Sequence, residues 1–254
     1  MKVYRWVLAV SLLLASCAGA VESAPEGTGV PGAIDGASTT MTTPDGDSPA
    51  GAGSVRLLFA GDVMLGRRVG PVATAEGSEF MEAVWFVVSS ADFAAANLES
   101  PFTKRPHIAE TPNELAASPD LATLLQRAGF DALSVANNHA TDSGRDGLVD
   151  TLESLDAAGL SSLGGGETID AAESALIETH DGITVAFLAF DATHIALEAT
   201  ANEAGVAGYE PNRAQLAVQA AADEADIVAV SVHGGVEYLI DADPILSGIA
   251  DDLV

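Results

Sequence analysis

The chain has 254 residues, with 10 Lys and Arg against 37 Asp and Glu, a formal net charge of -27 and a pI near 4.1. Such a surface repels nucleic acid and anionic lipid headgroups, which excludes nucleic-acid binding and leaves membrane attachment to an anchor rather than a basic patch. At 48% hydrophobic and 5% aromatic residues, the length suits one sizeable α/β domain or two small ones.

Lys2 and Arg5 form a basic start, and Trp6 to Leu14 is an apolar run broken only by Ser11. This run is about half the ~20 residues a bilayer-spanning helix needs, so residues 1–16 read as a signal peptide. Leu14-Ala15-Ser16-Cys17 resembles a bacterial lipobox, and Cys17 is the sole cysteine of the chain. Cys17 is therefore the expected lipidation site, which makes the protein an extracytoplasmic, membrane-anchored lipoprotein held by two or three acyl chains. Residues 17–54 then carry the lipidated cysteine and a linker rich in Ala, Gly, Ser, Thr and Pro. Its flexible-chain reach is about 30–35 Å.

The texture changes at Val55, where a domain over residues 55–254 begins. Val55 to Ala60 reads as a buried strand stopping at Gly61-Asp62, and Phe80 to Val88 as a helix whose Trp85 and Phe86 are expected in the core. Asp92 to Ala96 is a strand ending at Asn97-Leu98-Glu99. Ser118-Pro119 starts a helix that stops at Gly129. Ala132 to Ala136 is a strand halted by Asn137-Asn138-His139. The next helix carries Leu148, Leu152 and Leu155 as an i, i+4, i+7 stripe and ends at Gly159. Thr184 to Phe190 is a strand ending at Asp191, Asn212 is expected to cap a helix from Arg213 to about Ala225, and Ile227 to Val232 is a strand ending at His233-Gly234-Gly235. Alternating strands and helices indicate an α/β fold with buried sheet faces.

Four apolar runs thus stop at Asp62, Asn97/Glu99, Asn138/His139 and His233. A parallel sheet would bring such stops to one edge, at the carboxyl ends of its strands. Carboxylate, amide oxygen and imidazole are the ligands that a hard or borderline divalent metal takes. The same groups also hold a phosphate or move a proton. Arg67 is a candidate for bidentate binding of an anionic group, and with Asn97 is read as a substrate contact. Glu237, on the loop after His233, would orient that imidazole as a supporting carboxylate. Asp191 and His194 follow the Thr184–Phe190 strand and are weaker candidates to line the same cleft, with His194 expected on a surface loop. Asp142 is expected to cap or organise its loop, and His107 is assigned no role.

The motifs Gly61-Asp62-Val63-Met64-Leu65-Gly66-Arg67, Asn97-Leu98-Glu99-Ser100-Pro101, Ala136-Asn137-Asn138-His139 with Asp142 and Gly144, and His233-Gly234-Gly235-Val236-Glu237-Tyr238 resemble those of the capsule-synthesis CapA family, which includes proteins of poly-γ-glutamate capsule formation. The resemblance runs from about Leu57 onward. That family looks like a variant of the calcineurin-like metallophosphoesterases, so it implies a β-sandwich flanked by helices. It further implies Asp62, Glu99, Asn138 and His233 as ligands of a divalent metal (Mn, Zn, Fe or Mg), and His139 as the catalytic residue that bonds a phosphate or protonates a leaving group. The chain departs from that superfamily at Met64, where a histidine is usual. It also ends before a Gly-His-x-His-like segment, so the domain is expected to lack its C-terminal part.

Two functions follow from the resemblance. One is a tethered binding or assembly subunit for synthesis or export of an anionic capsule or envelope polymer, working with other capsule-synthesis subunits. The other is a metal-dependent phosphoesterase or envelope-polymer hydrolase that uses His139.

Overall fold

In a computed structural model, residues 6–12, 53–109, 115–236 and 243–254 are described. In chain order the strands and helices are β1 (Trp6–Leu12), β2 (Leu57–Val63), α1 (Val69–Glu76), α2 (Glu82–Val88), β3 (Phe93–Leu98), α3 (Ala122–Ala128), β4 (Ala132–Ser134), α4 (Gly144–Ala158), β5 (Ser161–Leu163), β6 (Gly165–Gly166), α5 (Ile169–Ala172), β7 (Leu176–His180), β8 (Ile183–Asp191), β9 (Gly205–Val206), α6 (Pro211–Glu224), β10 (Ile227–His233) and α7 (Pro244–Leu253). They build an α/β sandwich. One parallel sheet has the order β2-β3-β4-β5. The second has the order β1-β10-β8-β7, parallel except for β7.

Strand alternation sorts the side chains into layers. Phe93, Ala95, Ala132, Val185, Phe187, Ala189 and Ala229 lie between the sheets. Small residues dominate there, so the sheets approach closely, and the Phe93 and Phe187 rings stack with centroids 3.9 Å apart. Gly164 sits at φ +72, and a Cβ there would fall 2.5 Å from the Ala136 side chain and 2.6 Å from the Ala189 carbonyl oxygen. Only glycine fits that crossing between the layers. The opposite faces are covered by helices. Leu133 and Leu98 pack with Leu125, Leu148 and Leu155, and Val228, Val230 and Val232 pack with Val218, Leu246 and Ile249.

Several elements differ from expectation. Trp85 and Phe86 are 51% and 77% exposed, not core. Helix α2 buries only Val88, because Leu124, Leu125 and Ala128 of α3 already fill the space over the sheet. Helix α6 starts one residue before the expected cap: Glu210 accepts from the Asn212 and Arg213 amides, with Pro211 at the first helical position. Ser118 makes no side-chain cap, and its helix opens as a short 3-10 turn over Pro119–Leu121. Helices α3 and α4 end at left-handed Gly129 and Gly159, as their sequences require. The apolar run read as the core of a leader lies as β1, parallel to β10 from Trp6 beside Ile227 to Leu12 beside His233. Cys17 lies outside the described residues.

Candidate functional site

The carboxyl ends of β2, β3, β4, β8 and β10 meet at one end of the sandwich. On β3, Phe93 and Ala95 face the interlayer, so Asn97, two residues on, faces it too. Parity alone would put Gly61, not Asp62, opposite Asn97. A register shift between Phe59 and Asp62 inserts one residue, so Asp62 pairs with Asn97 and turns to the inner face. Such a bulge re-aims a side chain at the end of a ladder. On β10, Ala229 faces the interlayer, and by the same alternation Ser231 and His233 follow.

The side chains form one hydrogen-bonded network. Asn97 Nδ2 donates to Asp62 Oδ1 at 2.8 Å and lies 3.3 Å from His233 Nδ1. An amide nitrogen can only donate, so Nδ1 accepts. His233 Nε2 then carries the proton and donates to Asn138 Oδ1 at 3.0 Å. Asn137, fully buried, donates to Asn97 Oδ1 (3.0 Å) and to the Leu98 carbonyl (2.9 Å), while its own Oδ1 accepts from the His139 amide (3.1 Å). Asn137 therefore ties the turn after β4 to the end of β3. His139 Nδ1 lies 2.8 Å from Asp142 Oδ2, and Asp142 is 1% exposed. With Nδ1–H donating to the carboxylate, a proton exchanged with a ligand would pass through Nε2. His107 Nδ1 lies 3.7 Å from the same carboxylate oxygen, and the Ile108 and Ala109 amides donate to the Asp142 carbonyl.

The residues foreseen from sequence fall into three groups. Asp62, Asn97, Asn138 and His233 are brought together, with His139 next to Asn138 and held by Asp142. Asn97, foreseen as a substrate contact, lies at the centre of the network. Glu99 is buried at 5% exposure and continues the inner-face parity of Asn97. Arg67 stands exposed with φ 52 on the turn before α1, outside the network. Glu237 lies outside the described residues. Asn137 and Asp142 carry more of the site than their sequence reading gave them. Asp142 does organise its loop, and it also orients His139; the His139–Asp142 spacing of three residues was the available signal. His194 is exposed and pairs with Glu198 at 3.1 Å.

Burial sets the electrostatics. It pushes the Asp62 carboxyl above its ordinary range, partly offset by the Asn97 hydrogen bond. It lowers His233 to about 4, assisted by the neighbouring His139. The folded chain then binds fewer protons than the unfolded chain between about 4 and the ordinary histidine value of 6.5. This residue's stabilisation is thus complete above 6.5 and is lost as pH falls toward 4. A shift of this size amounts to about 3 kcal/mol. The difference in unfolding free energy between wild type and His233→Gln is expected to grow by about that much from pH 4 to pH 6.5, by urea titration at each pH. A pH-independent difference would refute a neutral buried His233.

The donors fit a divalent cation by chemistry: a carboxylate, amide oxygens and an imidazole that stays neutral. Among the described residues, no three His, Cys, Asp or Glu side chains gather as a metal-holding group. Asp62 Oδ1, Asn138 Oδ1 and His233 Nε2 are instead hydrogen-bonded within the network.

Residues 56–254 match the family described as bacterial capsule synthesis protein PGA_cap. The chain belongs to this family. Among its curated relatives, the PGA biosynthesis protein CapA of Bacillus subtilis (strain 168) is 32% identical over 191 residues, 73% of this chain and 50% of the relative. The capsule biosynthesis protein CapA of Bacillus anthracis is 29% identical over 192 residues, 72% of this chain and 47% of the relative. This PGA_cap chain spans about half the length of the curated relatives it matches. Among solved structures, a putative 5'-nucleotidase of Staphylococcus aureus in complex with alpha-ketoglutarate aligns with a TM-score of 0.49 and 16% identity over 78% of this chain and 43% of that one. A 5'-nucleotidase precursor of Thermus thermophilus aligns with a TM-score of 0.43 and 13% identity over 70% and 36%. Likenesses of this size say nothing of what the chain acts on.

Proposed function

We propose that this PGA_cap protein is an envelope-tethered factor of capsule or exopolymer synthesis, and that its site cleaves or transfers a phosphoester or polymer linkage with a divalent cation. The observation that carries the reading is the His139–Asp142 pair beside the Asp62–Asn97–His233–Asn138 network. Asp62, Asn138 and His233 would hold the cation. Bound there, a cation polarises a phosphoryl or acyl oxygen. His139, oriented by Asp142, holds the proton given to the leaving group. Charge supports a cation at the contact, since a chain of net charge -27 repels an anionic polymer.

A second reading, a binding or assembly subunit without turnover, draws on the mutual hydrogen bonding of the donor atoms and on Met64 in place of a nitrogen ligand. The two separate in one experiment on the full chain. Manganese binding with hydrolysis of a phosphodiester supports the first. Retention of an anionic capsule polymer with no metal bound and no turnover supports the second and sinks the first. Neither binding nor turnover overturns both.

Tethering is proposed through Cys17. Among the described residues no helix is long and apolar enough to cross a membrane. Cys17→Ala is expected to move the protein from the membrane fraction to the soluble fraction, and an unchanged distribution would refute lipidation. Cleavage before Cys17 would also remove β1 and leave β10 as the edge of its sheet, so the mass of the mature protein reports which form exists.

A further inference from the structure

We infer that helix α2 is the part of the anchored domain that rests on the bilayer, with Trp85, Phe86 and Val87 entering the interface of a zwitterionic phospholipid membrane; the inference rests on the anchoring through Cys17 proposed above. Val84, Trp85, Phe86 and Val87 are 43%, 51%, 77% and 58% exposed, and the helix buries only Val88. Successive residues of an α-helix project about 100° apart, so these side chains point round most of the helix. Helix α2 therefore stands proud of the body instead of offering one flat face. Apolar surface left out in this way marks a protein or membrane contact. A flat partner would cover one side of such a helix, whereas a fluid bilayer surrounds it. A second copy is also disfavoured by charge, since each copy carries -27.

The place where the linker joins the domain decides the occupant. The Arg56 amide donates to Asp92 Oδ2 at 2.7 Å, the Arg56 guanidinium donates to the Ser90 carbonyl, and the Asp92 amide donates to the Arg56 carbonyl at 2.8 Å. The Ser90 hydroxyl in turn donates to the Val87 carbonyl at 2.7 Å. The chain arriving from Cys17 is thus bonded to the end of α2, beside the exposed side chains. With the linker as read from the sequence, the effective concentration of α2 at the bilayer is about millimolar, so shallow insertion of a few side chains suffices. From the same point β2 carries the chain about 20 Å from Arg56 to Asp62, at about 3.3 Å per residue. Docking by α2 therefore turns the site away from the lipid and toward polymer in the envelope. Beside the helix, Glu79, Glu82, Trp85 and Arg127 line a groove of about 410 Å3. Both signs of charge there suit a zwitterionic headgroup, its phosphate on Arg127 and its ammonium against the carboxylates and the Trp85 ring. Tryptophan is also the side chain that favours the headgroup depth of a membrane.

The test couples the full chain through Cys17, its sole cysteine, to a maleimide lipid in phosphatidylcholine vesicles. The chain has two tryptophans, so Trp6→Phe leaves Trp85 as the reporter. Trp85 emission is expected to shift to the blue and to be quenched by brominated phosphatidylcholine. Unshifted and unquenched emission overturns the inference while sparing the anchor reading, because the coupling here is chemical; Cys17→Ala fractionation tests that reading separately. Phe86→Ser is expected to lower the ratio of docked to undocked protein by about tenfold or more, the factor for withholding one phenyl ring from an apolar phase. Its melting temperature should stay unchanged, because Phe86 packs little against the domain. A lower melting temperature with unchanged quenching would show Phe86 serving the fold, and a dimer in solution that Phe86→Ser dissociates would assign the surface to a second copy; either overturns the inference. Stronger quenching in phosphatidylglycerol vesicles than in phosphatidylcholine refutes the zwitterionic assignment.

Discussion

Replacing His139 with alanine is expected to slow phosphodiester hydrolysis by about 10²–10⁴-fold, the usual contribution of a positioned general acid, and to leave Mn2+ binding in place. The separation follows from the network. His139 contributes its backbone amide to Asn137 and its ring to Asp142, whereas the donors fit for a cation lie on Asp62, Asn138 and His233. Loss of the ring leaves the amide bond intact, so the turn that carries Asn138 should hold its shape. Asp142→Asn is expected to fall short of that effect, at about 10–100-fold, because it removes an orienting partner and not the proton carrier. The asparagine carries no charge, so it no longer stabilises the imidazolium that gives up a proton from Nε2. The diagnostic is the leaving group itself. If His139 supplies a proton, the penalty is large for an alkoxide leaving group and small for p-nitrophenolate, which departs without one. An equal penalty for both would mean that His139 acts by holding the phosphate or the loop, and the acid assignment would fall.

How far the site could be read from the chain depended on how local each determinant is. Asn97, His139 and His233 stand at the ends of apolar runs whose length and flanking turns are written in neighbouring residues, and the structure brings them to one end of the sandwich. Asp62 joins them only through the extra residue between Phe59 and Asp62. Nothing in Ala60-Gly61 marks that shift, because a bulge is defined by the partner strand. Asn137 and Asn138 are adjacent and chemically identical. Which one braces the backbone and which faces His233 is settled by the turn, in which the Asn137 amide donates to the Val135 carbonyl. The misplacement of Trp85 and Phe86 has a similar cause. Their segment is apolar all round, so no stripe shows which side meets the sheet, and α3 had already taken that side. The short β5 and β6 left no period long enough to read; both are set by contacts with distant segments, β5 beside β4 and β6 beside β9. The run over Trp6–Leu12 illustrates the opposite limit, since the same apolar residues suit the core of a leader and a strand beside β10.

Asn137→Ala is expected to destabilise the fold by about 3–5 kcal/mol, the sum of leaving three buried polar groups without their partner at about 1–3 kcal/mol each, less some relaxation. The three are Asn97 Oδ1, the Leu98 carbonyl and the His139 amide. Domains of this kind have only about 5–15 kcal/mol in total, so a shift of that size is readily measured by urea unfolding. The effect should reach beyond stability. Asn97 Oδ1 accepts from Asn137, and this bond fixes which way the Asn97 amide faces; its nitrogen is thereby turned to Asp62 and His233. Without Asn137 the amide is free to flip, and a flipped Asn97 would set its oxygen against the Asp62 carboxylate. Mn2+ affinity is therefore expected to fall together with stability, although Asn137 itself offers no free oxygen to a cation. Asn137→Asp separates the two faces of the residue. It keeps the acceptor for the His139 amide but turns a carboxylate oxygen toward Asn97 Oδ1 and the Leu98 carbonyl. Placed there, an ionised aspartate should be worse than alanine at neutral pH. Burial against two carbonyl-type oxygens favours its protonated form, so the native state holds a proton that the unfolded chain releases, and stability should recover as pH falls toward the ordinary carboxyl range. An Asn137→Asp protein as stable as wild type at neutral pH would show that the bracket between β3 and β4 does not depend on these donors, and that the order of the site comes from the surrounding core alone.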